Sequence, residues 1–324
     1  MRRRKFLQLA AGAGAASIAA PSALRAQAAW PDRPVKFIVP FAAGGATDLL
    51  ARPWADLLGK AFNQQVIIEN RGGASGLIGA EAAFRSAPDG YTLFFSSNST
   101  TVFQPQLRKI NYDSKQFIPV ARMGDSISGF IVHPKHGFKT IQDLVDFAKK
   151  NPGKLTFGSS GPGTTTHLRL EMLVYKTGIE VLHVPYRGGS DSLQDLLAGT
   201  IDIMNEGSTL SHAKAGKLTL LNVNHYERFA EFPDVPTLTE AGIKDADVPV
   251  WFGLYAPPGT PKEIVEKLNA KINEISATPE MKVKLQAASA VPVVQNLTDL
   301  QKHLDADYKS IGDLIKSANI KIEQ

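Results

Sequence analysis

Cysteine is absent from this chain of 324 residues. Its absence excludes disulfide bonds, thiolate catalysis, cysteine-ligated zinc and a lipid anchor on an N-terminal cysteine. Long apolar runs are missing too, since no later segment reaches the ~20 consecutive apolar residues that a membrane-spanning helix needs. The remaining composition, with 43% hydrophobic and 21% charged residues, is typical of a folded globular protein. The length suits about two domains.

Without its first 28 residues, the chain has no excess of basic over acidic residues. The formal net charge of the whole chain is +5, and the first 28 residues contain five basic residues and no acid. Removing those five from the 36 basic residues leaves 31, which equals the number of acidic residues. A neutral chain lacks the basic footprint of nucleic-acid binding, so we expect no nucleic-acid partner.

Residues 1–28 have the three parts of an export signal. Basic residues open the segment, a weakly apolar stretch covers Phe6 to Ala20, and Ala26-Gln27-Ala28 is a small-x-small cleavage site. The run Arg3 to Gln8 is similar to a twin-arginine signal, and a general secretory signal is the alternative. We therefore expect a cleavable signal and a soluble, exported chain that begins near Ala29.

Strand and helix signals alternate along the rest of the chain, which predicts an α/β fold. The apolar run Val35 to Val39 predicts a strand, and Leu49 to Phe62 predicts a helix. Thr140 can cap a helix that extends to Lys150. Thr260 to Glu263 predicts a helix start with Thr260 as the N-cap and Glu263 completing a capping box.

Familiar catalytic and cofactor motifs are missing. The sequence has no H-E-x-x-H motif and no Walker A motif, and its seven histidines lack metal-ligand spacing. Gly161-Pro162-Gly163 lacks the third glycine of a dinucleotide fingerprint, and Pro162 breaks the nucleophile-elbow pattern that begins at Gly158. We expect no metal, no cofactor and no catalysis. A hydrolase or isomerase with a scattered site, using Ser160 or His167, is the alternative.

Three segments share the layout of a strand, a small polar loop and a helix: 39–48, 157–167 and 185–191, with a looser fourth at 95–100. In an open α/β sheet such loops lie at the carboxyl ends of the strands, where ligands bind. Glycines permit close backbone approach, and a helix start offers unpaired N–H donors. Several such loops around one cleft predict a donor-rich site for a carboxylate.

The candidate ligand-binding residues come from these loops and from the strand ends beside them. They are Phe41, Ala42, Ala43, Gly44, Gly45, Thr47, Asp48, Ser96, Asn98, Ser159, Ser160, Gly163, Thr164, Thr165, His167, Arg187, Asn205 and Glu206.

Each loop has a structural alternative, because helix caps and turns use the same residue types. Arg187 can grip a carboxylate or pair with Asp191. His167 can face the ligand or bond a neighbouring backbone group, and the second is favoured. Glu206 can be a surface carboxylate or an acceptor for a ligand amine or hydroxyl, and the surface position is favoured.

The order and spacing of several short motifs resemble one known family over nearly the whole mature chain. The motifs are Trp30-Pro31-Asp32-Arg33-Pro34, Ile38 to Gly45, Val66 to Ala74, Pro88 to Leu93, Gly158 to Leu168, Val184 to Gly188, Phe232 to Thr237, Glu240-Ala241-Gly242 and Ala256 to Pro261. They are similar to those of the receptors of tripartite tricarboxylate transporters, the TctC-like or Bug (Bordetella uptake gene) family.

The resemblance implies a two-lobed periplasmic-binding-protein fold of the flytrap-like type II, each lobe being a sheet flanked by helices. It implies a periplasmic, monomeric receptor that closes on a small carboxylate, which is an organic acid, an amino acid or an aromatic acid. The loops 41–48 and 158–167 are then expected to clamp one carboxylate group. The implied partner is the membrane permease of the transporter, and no cofactor is implied. A ligand-sensing co-receptor of a sensor kinase is the alternative.

Two chain crossings, near residues 126–131 and 248–253, predict the domain boundaries. The first lobe is expected at 29–128 and 252–324, and the second at 129–251. The sequence departs from the family at Arg169-Leu170, where relatives often have Ala-Gly, and at Asn205-Glu206, where they often have Phe-Asp. Ile311 replaces a tryptophan that is common there.

Overall fold

The computed structural model of the chain describes residues 30–225, 227–248 and 250–321. The predicted export signal, residues 1–28, lies outside these described residues.

Strands and helices alternate along the described chain, as the sequence predicts. The strands are β1 (Val35–Val39), β2 (Val66–Asn70), β3 (Thr92–Ser97), β4 (Ile118–Ser126), β5 (Ile131–Val132), β6 (Leu155–Ser159), β7 (Val181–Pro185), β8 (Ile203–Met204), β9 (Thr219–Leu220), β10 (Trp251–Ala256) and β11 (Ala290–Val291). The α-helices are α1 (Ala46–Phe62), α2 (Leu77–Phe84), α3 (Gln104–Leu107), α4 (Ile141–Lys150), α5 (Thr165–Thr177), α6 (Gly189–Ala198), α7 (Leu210–Lys214), α8 (Lys262–Ser276), α9 (Pro279–Ala287) and α10 (Leu297–Ser317).

The strands form two sheets. The first has the order β11-β4-β10-β3-β1-β2, and the second has the order β7-β6-β8-β5-β9. In the first sheet β1 is parallel to β2 and β3, and β10 runs antiparallel between β3 and β4. In the second sheet β6 is parallel to β7 and β8. The parallel strands place the loops after β1, β6 and β7 at the carboxyl edges of their sheets.

Each sheet takes its own part of the chain. The first uses residues 35–126 and 251–291, and the second uses residues 131–220. We call the first sheet with its helices the first lobe, and the second sheet with its helices the second lobe. Trp251, which the sequence places in the second lobe, pairs with Asp125 inside the first sheet. We propose lobe boundaries close to those predicted, with the return crossing before Trp251.

Helices cover both faces of each sheet, because side chains alternate between the faces along a strand. Phe37 belongs to the core that includes Trp54 of α1 and Leu268 of α8. The next residue, Ile38, belongs to the opposite core, with Ala80 of α2. In the second lobe, separate cores likewise lie against α4 with α5 and against α6 with α7.

The helix starts show which local signals decide the boundaries. Thr140 caps α4 in a complete capping box with Asp143, so the predicted start is confirmed. The prediction for α8 is wrong, because its N-cap is Pro261 in an extended conformation. Thr260 instead donates its hydroxyl hydrogen bond backwards to the Pro257 carbonyl at 2.9 Å. Its side chain is therefore engaged in the preceding turn and does not cap the helix.

None of the helices within the described residues has the length and apolar character needed to cross a membrane.

The Asp202 carboxylate connects three parts of the second lobe. It accepts hydrogen bonds from the backbone N–H of Thr156 at 2.8 Å and from the ring of His136 at 2.7 Å, and it lies 2.8 Å from the Lys135 ammonium. Burial raises the pKa of this group, but the hydrogen bonds from Lys135, His136 and Thr156 outweigh burial and lower it to about 2. The ionised carboxylate therefore stabilises the second lobe at neutral pH.

We expect Asp202→Asn to reduce the free energy of unfolding by roughly 1–3 kcal/mol at pH 7. Because the folded pKa lies below the usual 3.8, the stabilisation is complete above that value and is lost as pH falls towards about 2. Denaturant titrations from pH 7 to pH 2 measure the effect. The exposed Asp146, whose carboxylate accepts from Gln142, provides the control Asp146→Asn. An equal loss in both variants contradicts the prediction.

Candidate ligand-binding site

A small cavity lies between the lobes, where the loops after β1, β6 and β7 meet. Its volume is about 40 Å³, which is room for about three water molecules. Its lining residues come from both lobes and from the two chain crossings: Phe41, Gly45, Ala46, Thr47, Ser97, Ser99, Ser126, Ser160, Thr164, Thr165, Thr166, Arg169, Gly189, Glu206, Gly207, Val250 and Phe252.

The lobes contact each other around this cavity. The backbone N–H of Ala46 in the first lobe donates to Glu206 Oε1 in the second at 3.1 Å. The side chains of Gln104 and Arg108 in the first lobe donate to the Pro162 carbonyl at 3.0 and 3.1 Å. Direct hydrogen bonds therefore join the two lobes beside the cavity.

Three helices, α1, α5 and α6, begin at the cavity. Their N-caps are Gly45, Thr164 and Gly188, and none of these residues caps its helix with a side chain. Among the other helices, Thr140, Thr278 and Asn296 accept a first-turn N–H at the starts of α4, α9 and α10, whereas α2, α3, α7 and α8 have no side-chain cap. The N-terminal donors and the positive dipole ends of the three cavity helices therefore point at the space between the lobes.

The first loop, residues 40–45, is held by the carboxylate of Asp48. This fully buried side chain accepts from the Gly44 N–H at 2.9 Å, from the Asn70 amide at 3.1 Å and from two nitrogens of Arg52. Gly44 has φ +82°, a left-handed conformation that favours glycine. Asp48 therefore shapes the loop, whereas Gly45 and Thr47 line the cavity.

The second loop, residues 160–164, is held by hydroxyl groups. Thr164 donates its hydroxyl to the Gly161 carbonyl at 2.6 Å, and Thr166 accepts from the Ser160 N–H at 2.9 Å. Ser160, Thr164 and Thr165 line the cavity, as does Thr166. The loop thus presents hydroxyl-bearing residues that are held by its own hydrogen bonds.

Two stacked histidines lie behind the second loop. The rings of His167 and His183 are 3.9 Å apart, and His167 Nδ1 accepts from the Gly163 N–H at 3.0 Å. The Ser159 hydroxyl lies 2.6 Å from His183 Nε2. Burial and the neighbouring His167 lower the pKa of His183 to about 4, so its ring is neutral at pH 7. The hydrogen bond from Gly163 to His167 is a bond to the neighbouring backbone, which is the interpretation favoured from the sequence.

Glu206 lies at the centre of the site. The expectation that it is a surface carboxylate is wrong, since only 9% of the residue is exposed. Its second oxygen lies 3.4 Å from the Ser160 hydroxyl. Gly189 leaves room for the carboxylate, because a Cβ there would lie 1.7 Å from Glu206 Oε2. Burial raises the pKa of Glu206, while the Ala46 N–H, the Ser160 hydroxyl and the charge of Arg169 act in the opposite direction.

Some predicted residues lie outside the cavity lining. Ser96 and Asn98 are fully buried in the first lobe, where Ser96 bonds Thr100 at 2.7 Å and Asn98 donates to Asp307 at 3.0 Å. Arg187 is exposed and does not line the cavity. Eight further predicted residues are also absent from the lining: Ala42, Ala43, Gly44, Asp48, Ser159, Gly163, His167 and Asn205. Contact with a ligand remains a prediction for all of these residues.

Arg169 lines the cavity and is missing from the residues expected there. It lies on α5, three and four positions after Thr166 and Thr165, so the three side chains share one helix face. That spacing is visible in the sequence. Arg169 stands between Leu168 and Leu170, which are both buried. Because apolar residues stand on both sides of it in the sequence, the pattern does not show which face of this helix turn is buried.

The sequence matches the model of the TctC family, described as the tripartite tricarboxylate transporter family receptor, over residues 50–320. It is 35% identical over 299 residues to BugT of Bordetella pertussis, an alignment that covers 91% of this chain and 92% of that protein.

Two solved structures are similar over their full lengths. The adipate complex of Rpa4515 from R. palustris has a TM-score of 0.87 and 32% identity, covering 90% of this chain and 99% of that one. The malate complex of MatC from Rhodopseudomonas palustris has a TM-score of 0.82 and 28% identity, covering 88% and 100%. The two-lobed α/β fold of periplasmic binding proteins is therefore confirmed. The chain belongs to the TctC (Bug) family of tripartite tricarboxylate transporter receptors.

Proposed function

We propose that this protein is an exported periplasmic receptor, monomeric and without catalytic activity. It captures a small carboxylate between its lobes and delivers it to the membrane permease of a tripartite tricarboxylate transporter. The family and the structural neighbours are solute-binding proteins, and two of those neighbours bind adipate and malate.

The observation that carries this proposal is the meeting of three helix N-termini without side-chain caps at one interlobe cavity. Backbone N–H groups and aligned helix dipoles bind anions with few cationic side chains. The hydroxyl groups of Ser160 and Thr165 add donors at the same place. A carboxylate matches this set of donors in charge and in size.

A ligand that touches both lobes stabilises their contact. Gly45 and Ser97 come from the first lobe, and Ser160 and Glu206 come from the second. A ligand shifts the protein towards the closed form only if it binds that form more tightly than the open form. Simultaneous contact with donors of both lobes provides this difference, and the closed form is the one presented to the transporter.

Calorimetric titration of the mature protein with mono-, di- and tricarboxylates tests the proposal. We expect at least one carboxylate to bind with micromolar affinity or better and its neutral amide analogue to bind at least tenfold more weakly. Failure of the whole carboxylate panel contradicts the proposed function.

Gly45→Val should weaken that binding at least tenfold. The φ of Gly45 is −76°, so a side chain is sterically allowed by the backbone, but the added groups point towards Glu206 and Gly189. Ala61→Val, in the exposed last turn of the same helix, is the control and should bind normally. Unchanged affinity in Gly45→Val removes the start of α1 from the site.

Gly189→Ala should also weaken binding, because its Cβ would overlap the Glu206 carboxylate. The same substitution should have less than a threefold effect in a Glu206→Ala background, where the obstruction is removed. Titration of the four proteins gives the coupling between the two positions. Ser190→Ala, one residue further along α6, is the control. Purely additive losses contradict the steric explanation.

A further inference from the structure

The Arg169 guanidinium is a buried cation with an unused donor. The residue is 2% exposed, its Nε donates to the Val248 carbonyl at 3.2 Å, and its Nη1 donates to Asn205 at 3.1 Å. Nη2 has no hydrogen-bond partner among the described residues. Burial lowers the pKa of Arg169 to about 10, so the group stays charged at neutral pH. An unpaired N–H on a buried cation is costly, and a ligand acceptor in the cavity would satisfy it.

The Glu206 carboxyl group is buried, and its oxygens have unused acceptor capacity. It receives the Ala46 N–H at 3.1 Å and the long contact from Ser160 at 3.4 Å. An ionised carboxylate offers about four acceptor positions, so about two remain. Within the described part of the chain, no Lys, Arg or His nitrogen lies within 4.0 Å of it. Burial raises the pKa of this group, whereas the Ala46 N–H, the Ser160 hydroxyl and the charge of Arg169 favour its ionised form.

Both groups line the same small cavity. The charge of Arg169 interacts with the Asp247 carboxylate as well as with Glu206, but its Nη2 keeps an unpaired N–H. This donor and the Glu206 acceptor are separated by more than an ion-pair distance, and they match a molecule whose two opposite charges are carried by groups on one carbon atom. A second carboxylate on the ligand would lie against Glu206 and be repelled. A hydroxyl group would donate to Glu206 but leave its charge without a counterion, whereas an ammonium group supplies three donors and the opposite charge.

The geometry points to Arg169 and Glu206 as the specificity pair for a small zwitterionic amino acid. Arg169 Nη2 donates to the ligand carboxylate, and Glu206 accepts from the ligand ammonium group. This inference rests on the proposed function, since it names the ligand class of the same cleft. The volume of about 40 Å³ and the walls formed by Phe41, Val250 and Phe252 restrict the ligand to a short side chain.

Calorimetry with matched small molecules tests the inference on the mature wild-type protein. Glycine, alanine and serine are compared with lactate, propionate, ethylamine, malate and adipate. We expect alanine to bind at least tenfold more tightly than lactate or propionate, and ethylamine and the two dicarboxylates to bind more weakly than alanine. Binding of malate, adipate or propionate in preference to every amino acid overturns the inference but leaves the proposed function intact. Binding of none of the acids contradicts the proposed function itself.

Two variants separate the roles of the pair. Glu206→Gln keeps the size of the side chain and should lose at least tenfold in affinity for alanine, while affinity for lactate or malate is unchanged or increases. Arg169→Met should lose at least tenfold for alanine and lactate alike. The controls are Glu81→Gln and Arg85→Met, at two residues that form an ion pair at the C-terminal end of α2, outside the cavity lining. Equal losses for alanine and lactate in Glu206→Gln overturn the role of Glu206, and circular dichroism verifies the fold of each variant.

Discussion

At the cavity, the two lobes meet through a hydrogen bond from the backbone N–H of Ala46 in the first lobe to the Glu206 carboxyl group in the second. Burying a carboxylate costs free energy unless donors or a cation compensate. The start of α1 supplies an N–H and a positive dipole end at the same point. The small residues Gly45 and Gly189 allow this approach, because a Cβ at Gly189 would overlap the carboxylate. The contact therefore requires both a hydrogen-bond donor at the start of α1 and the absence of a side chain at position 189.

The polar side chains around the cavity divide into those that line it and those that position the backbone. Asp48, Ser159 and His167 are buried, and each bonds a loop N–H or a neighbouring side chain behind the lining. They keep the loop amides in place, which is the part of the structure on which anion binding depends. Residue types that resemble catalytic groups therefore act here as supports for the backbone.

Local signals in the sequence predict the loops well, because glycines, hydroxyl residues and helix starts lie within a few positions of one another. Burial of Glu206 could not be predicted in the same way, since it depends on α1, which is 160 residues earlier in the chain. Burial of Arg169 could not be predicted either, because an arginine is normally expected on an exposed helix face, whereas α5 is buried on several sides. At Thr260 a local signal is misleading. The sequence around it is typical of an N-cap, but its hydroxyl group donates to the carbonyl of Pro257 in the preceding turn.

The two strands that flank the chain crossings are neighbours in one sheet. Asp125 pairs with Trp251, and the Ser126 N–H donates to the Val250 carbonyl at 2.8 Å. The next amide, of Ile127, donates to the Ser289 carbonyl at 2.8 Å. Both covalent links between the lobes therefore leave from neighbouring positions on one narrow strip of backbone. Ser126 and Val250 also form part of the cavity wall, so a molecule bound there would contact the backbone positions from which both links begin.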